Sequence, residues 1–191
     1  MPMITLIRHG ETDWNVAGKL QGKTDIPLNA RGIAQAEACK AYFKRENWDI
    51  IVSSPLQRAK RTAEIINEAL NLPFVEMEDF KERSFGKAEG LLAEERNRLY
   101  PDRNFPEAES YEAFQNRVMT GLEMLNKTYP YKRVLLVAHG AVIGCILSTL
   151  SNGEMNSKNT RLQNAGWSKI QYIDEAWQVH DVNQVSHLAH L

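Results

Sequence analysis

The sequence predicts a single-domain α/β fold, a three-layer α/β/α sandwich around a mostly parallel central sheet. Short runs of branched apolar residues alternate along the chain with segments of helical spacing, which is the pattern of helices packed on a parallel sheet. The first run, Met3–Arg8, is apolar on both faces, as strands of a sheet covered on both sides are. A length of 191 residues lies within the usual range for one domain. We therefore treat residues 1–191 as a single domain.

The predicted elements follow this alternation from end to end. The predicted strands are residues 3–8, 49–53, 74–76, 133–138, 167–173 and 177–182. The predicted helices are residues 30 to about 46, 54 to about 72, 91–100, 110 to about 129, and 141–150. In the first helix, the spacing predicts that Ile33, Ala34, Ala38, Ala41 and Tyr42 face the core. Asn29 is expected to cap this helix, and Ser54 followed by Pro55 is expected to open the next one.

Composition excludes several classes of function. The formal net charge is −1 and 25% of the residues are charged, so no excess of positive charge favours binding to nucleic acid or to an anionic membrane. The apolar stretch 134–150 is interrupted and too short to span a bilayer. Cys39 and Cys145 lack the spacing of a disulfide framework or a zinc site. The N-terminus has no basic, apolar leader. We therefore expect a cytoplasmic protein with reduced cysteines.

Two predicted strands end in the same way. The first ends in Arg8-His9-Gly10, and the strand at residues 133–138 is followed by His139-Gly140. In open parallel sheets, ligands bind at the carboxyl ends of the strands. Either histidine alone is more often structural than catalytic. Their matched placement predicts that the two face each other across one pocket.

The arginines near these positions predict an anionic ligand. Arg8 adjoins His9, and Arg58 lies in the first turn of the helix that begins near Ser54. A guanidinium matches phosphate oxygens in shape and charge, and one charge pair at about 4 Å contributes about 4 kcal/mol at an effective dielectric near 20. Two such cations could hold a phosphate dianion without a metal. No carboxylate cluster offers ligands for a divalent ion, so we expect neither a metal site nor a cofactor.

Motifs along nearly the whole chain resemble those of the histidine phosphatase superfamily, also called phosphoglycerate-mutase-like. The most specific is RHGETDWN, residues 8–15. The others, in chain order, are LQGKTDIPLNARGIAQA (20–36), SSPLQRAKRTAEII (53–66), KERSFGKAEG (81–90), VAHGAVI (137–143) and QNAG (163–166). One departure is Ala108, which stands before Glu109-Ser110 where the family usually has glycine. That departure concerns the backbone of a loop rather than the chemistry.

The resemblance implies a role for each matching position. His9 matches the nucleophile that becomes phosphohistidine, with the Gly10 carbonyl expected to fix its tautomer. Arg8, Arg58 and a protonated His139 match the rest of the phosphate pocket.

Further matches concern proton transfer and weaker contacts. Glu82 matches the family's proton donor, and its carboxylate would then activate water. Asn15 and the Gly140 backbone match lesser phosphate contacts, and Gln21 and Gly22 are expected at the substrate. The implied function is hydrolysis of a small phosphorylated metabolite, whose identity the sequence leaves open, as it does the oligomeric state.

Three alternatives compete with this interpretation. Cofactor-dependent phosphoglycerate mutases share the pocket, but they carry a tyrosine where this chain has Phe85 and a lysine where it has Ala93. The pair Glu89-Gly90 is more similar to broad-specificity phosphatases and to α-ribazole phosphatases, the second alternative. A non-catalytic binder of phospho-ligands would be expected to lose His9 or Glu82, and the chain keeps both.

Overall fold

One six-stranded sheet organises the structure, a computed structural model that describes residues 2–191. Its strands are β1 (Met3–Arg8), β2 (Ile50–Ser53), β3 (Phe74–Glu76), β4 (Arg133–Ala138), β5 (Trp167–Ile173) and β6 (Ala176–Gln184). Their order is β3-β2-β4-β1-β5-β6. The first four neighbours run parallel, and β5 and β6 form an antiparallel hairpin at one edge. The predicted fold class is confirmed.

Helices cover both faces of the sheet. They are α1 (Asp13–Ala17), α2 (Ala30–Phe43), α3 (Gln57–Leu70), α4 (Ala93–Leu99), α5 (Tyr111–Thr128) and α6 (Gly140–Leu150). Strand β4 shows why both faces need cover. Its Leu136 packs with Phe114 of α5 on one face, and its Leu135 and Val137 pack in the second core, which includes Phe43 of α2. Successive side chains of a strand point to opposite faces, so a wholly apolar strand needs two cores.

Helix α3 begins later than its sequence predicts. Leu56 is the N-cap residue and has no side-chain capping bond, so the prediction that the helix opens at Ser54 is wrong. The expected bond of the Ser54 side chain does form, because its hydroxyl accepts from the Leu56 backbone N–H at 3.3 Å, but it lies in the turn before the helix. At the first helical residue, Oδ1 of Asp25 in a distant loop accepts a hydrogen bond of 2.7 Å from the Gln57 backbone. The Ser54 hydroxyl also lies 2.7 Å from His139 Nε2.

The buried face of α2 is rotated from the one predicted. Gly32, Ala36, Cys39 and Phe43 are buried, whereas Ile33 is 43% exposed. The cause is a close backbone approach, because a Cβ at Gly32 would lie 2.1 Å from the carbonyl oxygen of Glu11. Glycine lets the loop after β1 lie directly on this helix, and that contact sets the helix rotation.

The five-residue helix α1 lies inside the predicted loop at residues 10–29. Its capping box joins Thr12 and Asn15, each side chain accepting from the other's backbone N–H. Gly18, at φ 70°, ends it in the left-handed conformation. Within the described range 2–191, no helix has the length and apolar character of a bilayer span.

Candidate active site

The register of β1 and β4 brings the two predicted histidines together. Arg8 pairs with Ala138 across these parallel strands, and the His9 backbone N–H donates to the Ala138 carbonyl at 3.0 Å. The residue that follows each strand is a histidine, so His9 and His139 lie side by side. The centroids of the His9 and His139 rings lie 5.3 Å apart, and both side chains are buried.

The His9 ring is held in one orientation and is neutral. Its Nδ1 lies 2.6 Å from the Gly10 carbonyl oxygen, and only a protonated Nδ1 can donate to that acceptor, so Nε2 keeps its lone pair. Burial lowers the pKa of His9 well below its ordinary value, and the charges of Arg58 and Arg8 lower it further. A buried, neutral imidazole with a free Nε2 has the lone pair that nucleophilic attack requires.

The Gly10 carbonyl is itself fixed by its surroundings. The Gly10 backbone N–H donates to Thr62 Oγ1 at 3.0 Å, and a Cβ at this position would lie 2.4 Å from the Gly32 carbonyl oxygen. The side-chain amide of Asn164 donates to the carbonyl oxygens of His9 at 3.1 Å and Gly10 at 3.3 Å. Asn164 lies in the QNAG motif, but the sequence assigned it no role.

His139 is bound on one side only. Its Nε2 lies 2.7 Å from Ser54 Oγ, whereas its buried Nδ1 has no hydrogen-bond partner among residues 2–191. Burial lowers the pKa of His139 well below its ordinary value, and Arg58 and His9 add to that shift. This shift favours a neutral His139, whereas a protonated His139 beside a bound phosphate stays a prediction. With Ser54 donating to Nε2, the neutral ring still offers its Nδ1–H as a donor.

Arg8 and Arg58 are also hydrogen-bonded on one side of the guanidinium group only. Arg58, 1% exposed, donates from its two terminal nitrogens to the carbonyls of Thr24 at 2.8 Å and Gly22 at 2.6 Å. Arg8 donates to the Leu162 carbonyl at 2.6 Å. Burial lowers the pKa of both guanidinium groups, but their ordinary pKa is so high that they keep their charge. The Nε of each is buried and has no partner within the described range.

The remaining predicted residues line the same cleft. This cleft has a volume of about 1330 Å³, and its lining includes Asn15, Gln21, Gly22 and Gly140. Gly22 acts through its carbonyl, which holds Arg58. The Gln21 side chain accepts from the Thr12 hydroxyl at 2.8 Å, inside the loop that shapes the cleft.

The Glu82 side chain lies beside the first turn of α6. Its carboxylate accepts from the backbone N–H of Arg83 at 3.0 Å and of Ala141 at 3.1 Å. Burial raises the pKa of Glu82, although these two hydrogen bonds and the charges of Arg58 and Arg8 oppose the shift. A raised pKa favours the protonated carboxyl group, the form that can donate a proton to a leaving group.

A partly buried ion pair holds the segment that carries Glu82. Arg117 forms a two-pronged pair with the Glu109 carboxylate at 3.0 and 2.8 Å, and donates to the carbonyls of Asp79 at 2.7 Å and Lys81 at 2.9 Å. The left-handed φ of this loop falls on Glu107, at 61°, rather than on the next residue. The alanine that replaces the family's glycine at 108 is therefore accommodated without strain. The sequence did not predict the role of Arg117.

No group of three or more His, Cys, Asp or Glu side chains in residues 2–191 is arranged to hold a metal ion.

Asn164 gives a test of how far the His9 geometry depends on distant support. We expect Asn164→Ala to lower kcat by about 10- to 100-fold with little change in KM, because small misplacements of a reacting group carry costs of that order. The matched control is Asn67→Ala on α3, which removes an amide that bonds the backbone of Leu72 just after that helix, outside the cleft. That variant is expected to melt earlier but keep its kcat. Equal losses of kcat in both variants would argue against a positioning role for Asn164.

Comparison with known proteins agrees with this geometry. Residues 4–185 match the family model of the histidine phosphatase superfamily (branch 1). An uncharacterized phosphatase, PhoE, of Bacillus subtilis is 54% identical over 99% of this chain and 98% of its own. A probable phosphoglycerate mutase, GpmB, of Proteus mirabilis is 34% identical over 98% of this chain and 95% of its own.

A solved structure shares the fold along the full length. It is a phosphoserine phosphatase mutant from Entamoeba histolytica in complex with phosphoserine, 31% identical, with a TM-score of 0.86 over 98% of this chain and 100% of its own. Sequence and fold therefore agree across the chain, which belongs to branch 1 of the histidine phosphatase superfamily.

Proposed function

We propose that this chain, a phosphoric monoester hydrolase by its family and its phosphatase relatives, works through a phosphohistidine on His9 without a metal. One observation carries the proposal. Three buried nitrogens, Arg8 Nε, Arg58 Nε and His139 Nδ1, lack partners among residues 2–191 in the site of a neutral His9. Buried donors without acceptors are costly and rare. A phosphate dianion would supply acceptor oxygens and the opposing charge.

The first half of the reaction forms the phosphohistidine. The lone pair of His9 Nε2 attacks phosphorus, the bond from phosphorus to the ester oxygen breaks, and Glu82 gives its proton to the departing alkoxide. Arg8 and Arg58 stabilise the charge on the equatorial oxygens, which is the main demand of phosphoryl transfer. Backbone carbonyls orient both guanidinium groups, through the two terminal nitrogens of Arg58 and through one terminal nitrogen of Arg8.

The second half returns the enzyme to its starting state. The Glu82 carboxylate takes a proton from water, the water oxygen attacks phosphorus, and the bond from His9 Nε2 to phosphorus breaks. Inorganic phosphate leaves, and Glu82 is again protonated. The same carboxyl group serves as acid and then as base, so its raised pKa suits the first step.

The substrate in this proposal is a small phosphorylated metabolite, and the location is the cytoplasm. Similarity to a phosphoserine phosphatase solved with phosphoserine supports a substrate of that size. Cys39 and Cys145 are both free and buried, which suits a reducing compartment.

Trapping the covalent intermediate tests the nucleophile. Rapid acid-free quenching of the enzyme with ³²P-labelled substrate in EDTA should place label on His9, labile to acid and stable to alkali. His9→Gln should abolish both label and turnover, whereas His180→Gln, at an exposed position of β6, should keep both. Turnover by the His9 variant would contradict the mechanism. Loss of wild-type labelling in EDTA, restored by magnesium, would contradict its independence of metal.

The proton donor is tested by leaving group and by pH. Glu82→Gln should slow alkyl phosphates by roughly 10²–10⁴-fold, and p-nitrophenyl phosphate much less, because that leaving group hardly needs a proton. The sign of the pH effect follows from the raised pKa of Glu82. The acid form is required, so kcat with alkyl phosphates should fall as pH rises through that pKa. In Glu82→Gln, kcat should no longer fall as pH rises. An equal loss of rate with alkyl phosphates and with p-nitrophenyl phosphate would exclude this role for Glu82.

A second candidate activity is phosphoglycerate mutase, favoured by the 34% identity to the probable mutase. The cleft itself argues for hydrolysis. Phe85 and Ala93 both line it, and neither offers a hydroxyl or charge to the carboxylate of phosphoglycerate. A mutase must hold that carboxylate and shield its phosphohistidine from water. The α-ribazole phosphatase alternative uses the same hydrolytic chemistry and differs only in substrate.

Product analysis separates the two branches. With 3-phosphoglycerate and catalytic 2,3-bisphosphoglycerate, the protein should release inorganic phosphate and form little 2-phosphoglycerate. Phosphorus NMR measures all three products in one sample. Rapid interconversion of the two monophosphates with hardly any free phosphate would show that the chain is a mutase.

A further inference from the structure

The two carbonyl groups that hold Arg58 belong to one short segment. This segment, residues 22–25 between α1 and α2, forms no helix or strand, and we call it loop 22–25. Its Gly22 and Thr24 carbonyls accept from the terminal nitrogens of Arg58 at 2.6 and 2.8 Å. The direction of the Arg58 side chain therefore depends on two peptide groups that no regular element fixes.

One end of loop 22–25 is held by the start of α3. The Gln57 backbone N–H donates to Asp25 Oδ1 at 2.7 Å, and the Gln57 side-chain amide donates to the Asp25 carbonyl at 2.6 Å. These bonds place the end of the loop, but they do not involve the peptide between Gly22 and Lys23. Another group must orient that peptide.

The Glu89 carboxylate binds the other side of loop 22–25. Its Oε1 accepts from the Lys23 backbone N–H and its Oε2 from the Thr24 backbone N–H, both at 3.1 Å. Oε2 also accepts from the Thr24 hydroxyl. A Cβ at Gly22 would lie 2.2 Å from Oε1 of Glu89, so glycine at this position leaves the room that the carboxylate occupies.

One peptide group links Glu89 to Arg58. The N–H of Lys23, which donates to Glu89, belongs to the same peptide as the Gly22 carbonyl, which accepts from Arg58. A trans peptide directs its N–H and C=O to opposite sides, so the carboxylate lies at one end of this peptide and the guanidinium at the other. Hydrogen bonds in such a chain polarise and strengthen one another.

Glu89 does not line the cleft, so it acts on the site through backbone groups rather than through substrate. Its Oε1 also accepts from the Phe85 backbone N–H at 2.9 Å, three residues after Glu82. The carboxylate therefore joins loop 22–25 to the segment that carries Glu82.

We propose that Glu89 is a positioning residue for Arg58, because it fixes the peptide between Gly22 and Lys23 and thereby the guanidinium that faces the reacting phosphate. A peptide beside glycine can rotate at little steric cost, and that rotation would turn the Gly22 carbonyl away from Arg58. The inference rests on the proposed function, since that function assigns Arg58 to the phosphate.

Glu89→Gln tests this role. Glutamine keeps the size of the side chain, but its amide nitrogen cannot accept from the N–H groups that the second carboxylate oxygen binds. We expect the dissociation constant of vanadate, measured by titration calorimetry, to rise about tenfold, as for a lost hydrogen bond to a charged group. The fall in kcat/KM should be alike for alkyl phosphates and p-nitrophenyl phosphate, because both need the same phosphate pocket. Glu82→Gln should instead separate these substrates.

The matched control is Glu95→Gln. The Glu95 carboxylate also accepts from a backbone N–H, that of Leu92 at 2.7 Å, and it does not line the cleft. This variant should keep the wild-type affinity for vanadate and the wild-type kcat/KM.

Thr24 provides a smaller change, which tests the proposal even if Glu89→Gln folds poorly. Thr24→Val removes the hydroxyl that donates to Glu89, and Thr24 does not line the cleft. Thr24→Val should weaken vanadate binding in the same direction but by less than Glu89→Gln. Thr24→Ser keeps the hydroxyl and should restore the wild-type affinity.

A double-mutant cycle assigns the effect to Arg58. If Glu89 acts through Arg58, Glu89→Gln should cost little further affinity for vanadate in the Arg58→Ala background. Equal costs in both backgrounds, unchanged affinity in Glu89→Gln, or an equal loss in Glu95→Gln would overturn the positioning role while leaving the phosphatase mechanism intact. Unchanged vanadate affinity in Arg58→Ala itself would instead overturn the role of Arg58 in the proposed function.

Discussion

The hydrogen bond from His9 Nδ1 to the Gly10 carbonyl is the constraint on which the rest of the site depends. It keeps the lone pair of Nε2 free and aims it at the place where the phosphate would bind. The carbonyl that accepts this bond is held by Thr62 through the Gly10 N–H and by the amide of Asn164. The fit of this loop against α2 leaves no room for a Cβ at Gly10. Tautomer, ring direction and backbone path are thus set together.

The cluster of positive charges at the site has an electrostatic cost that the fold must bear. Arg8 and Arg58 lie close enough to His9 and His139 to lower the pKa of both rings. Each arginine also leaves a buried Nε without a partner in the described part of the chain. Unmet buried donors and like charges destabilise a folded state. Apolar cores on both faces of the sheet offset that cost, and a bound phosphate dianion would remove it.

Local patterns in the sequence were sufficient for the sheet and for the histidine pair, but not for what supports them. Strands β1 and β4 can be predicted from the sequence because each is largely apolar and is followed by a histidine. The amide of Asn164 bonds the His9 carbonyl across 155 positions, and Arg117 bonds the Asp79 carbonyl across 38. No spacing rule reveals such contacts, because they arise only after the chain has folded.

Two features of the site have the same origin. The Ser54 hydroxyl accepts from the Leu56 N–H as a capping side chain would, but it also lies against His139, and burial beside Arg58 favours a neutral His139. Both depend on tertiary surroundings that the sequence does not display.

Nitrogen NMR of the His9 ring tests the central claim most directly. The His9 signals of the ¹⁵N-histidine-labelled, ligand-free protein can be assigned by their absence in His9→Gln. At neutral pH, the account predicts a neutral ring with its proton on Nδ1 and a bare Nε2, and it predicts that this state persists well below the pKa of an ordinary histidine. A ring protonated on both nitrogens at neutral pH, or on Nε2 alone, would contradict it.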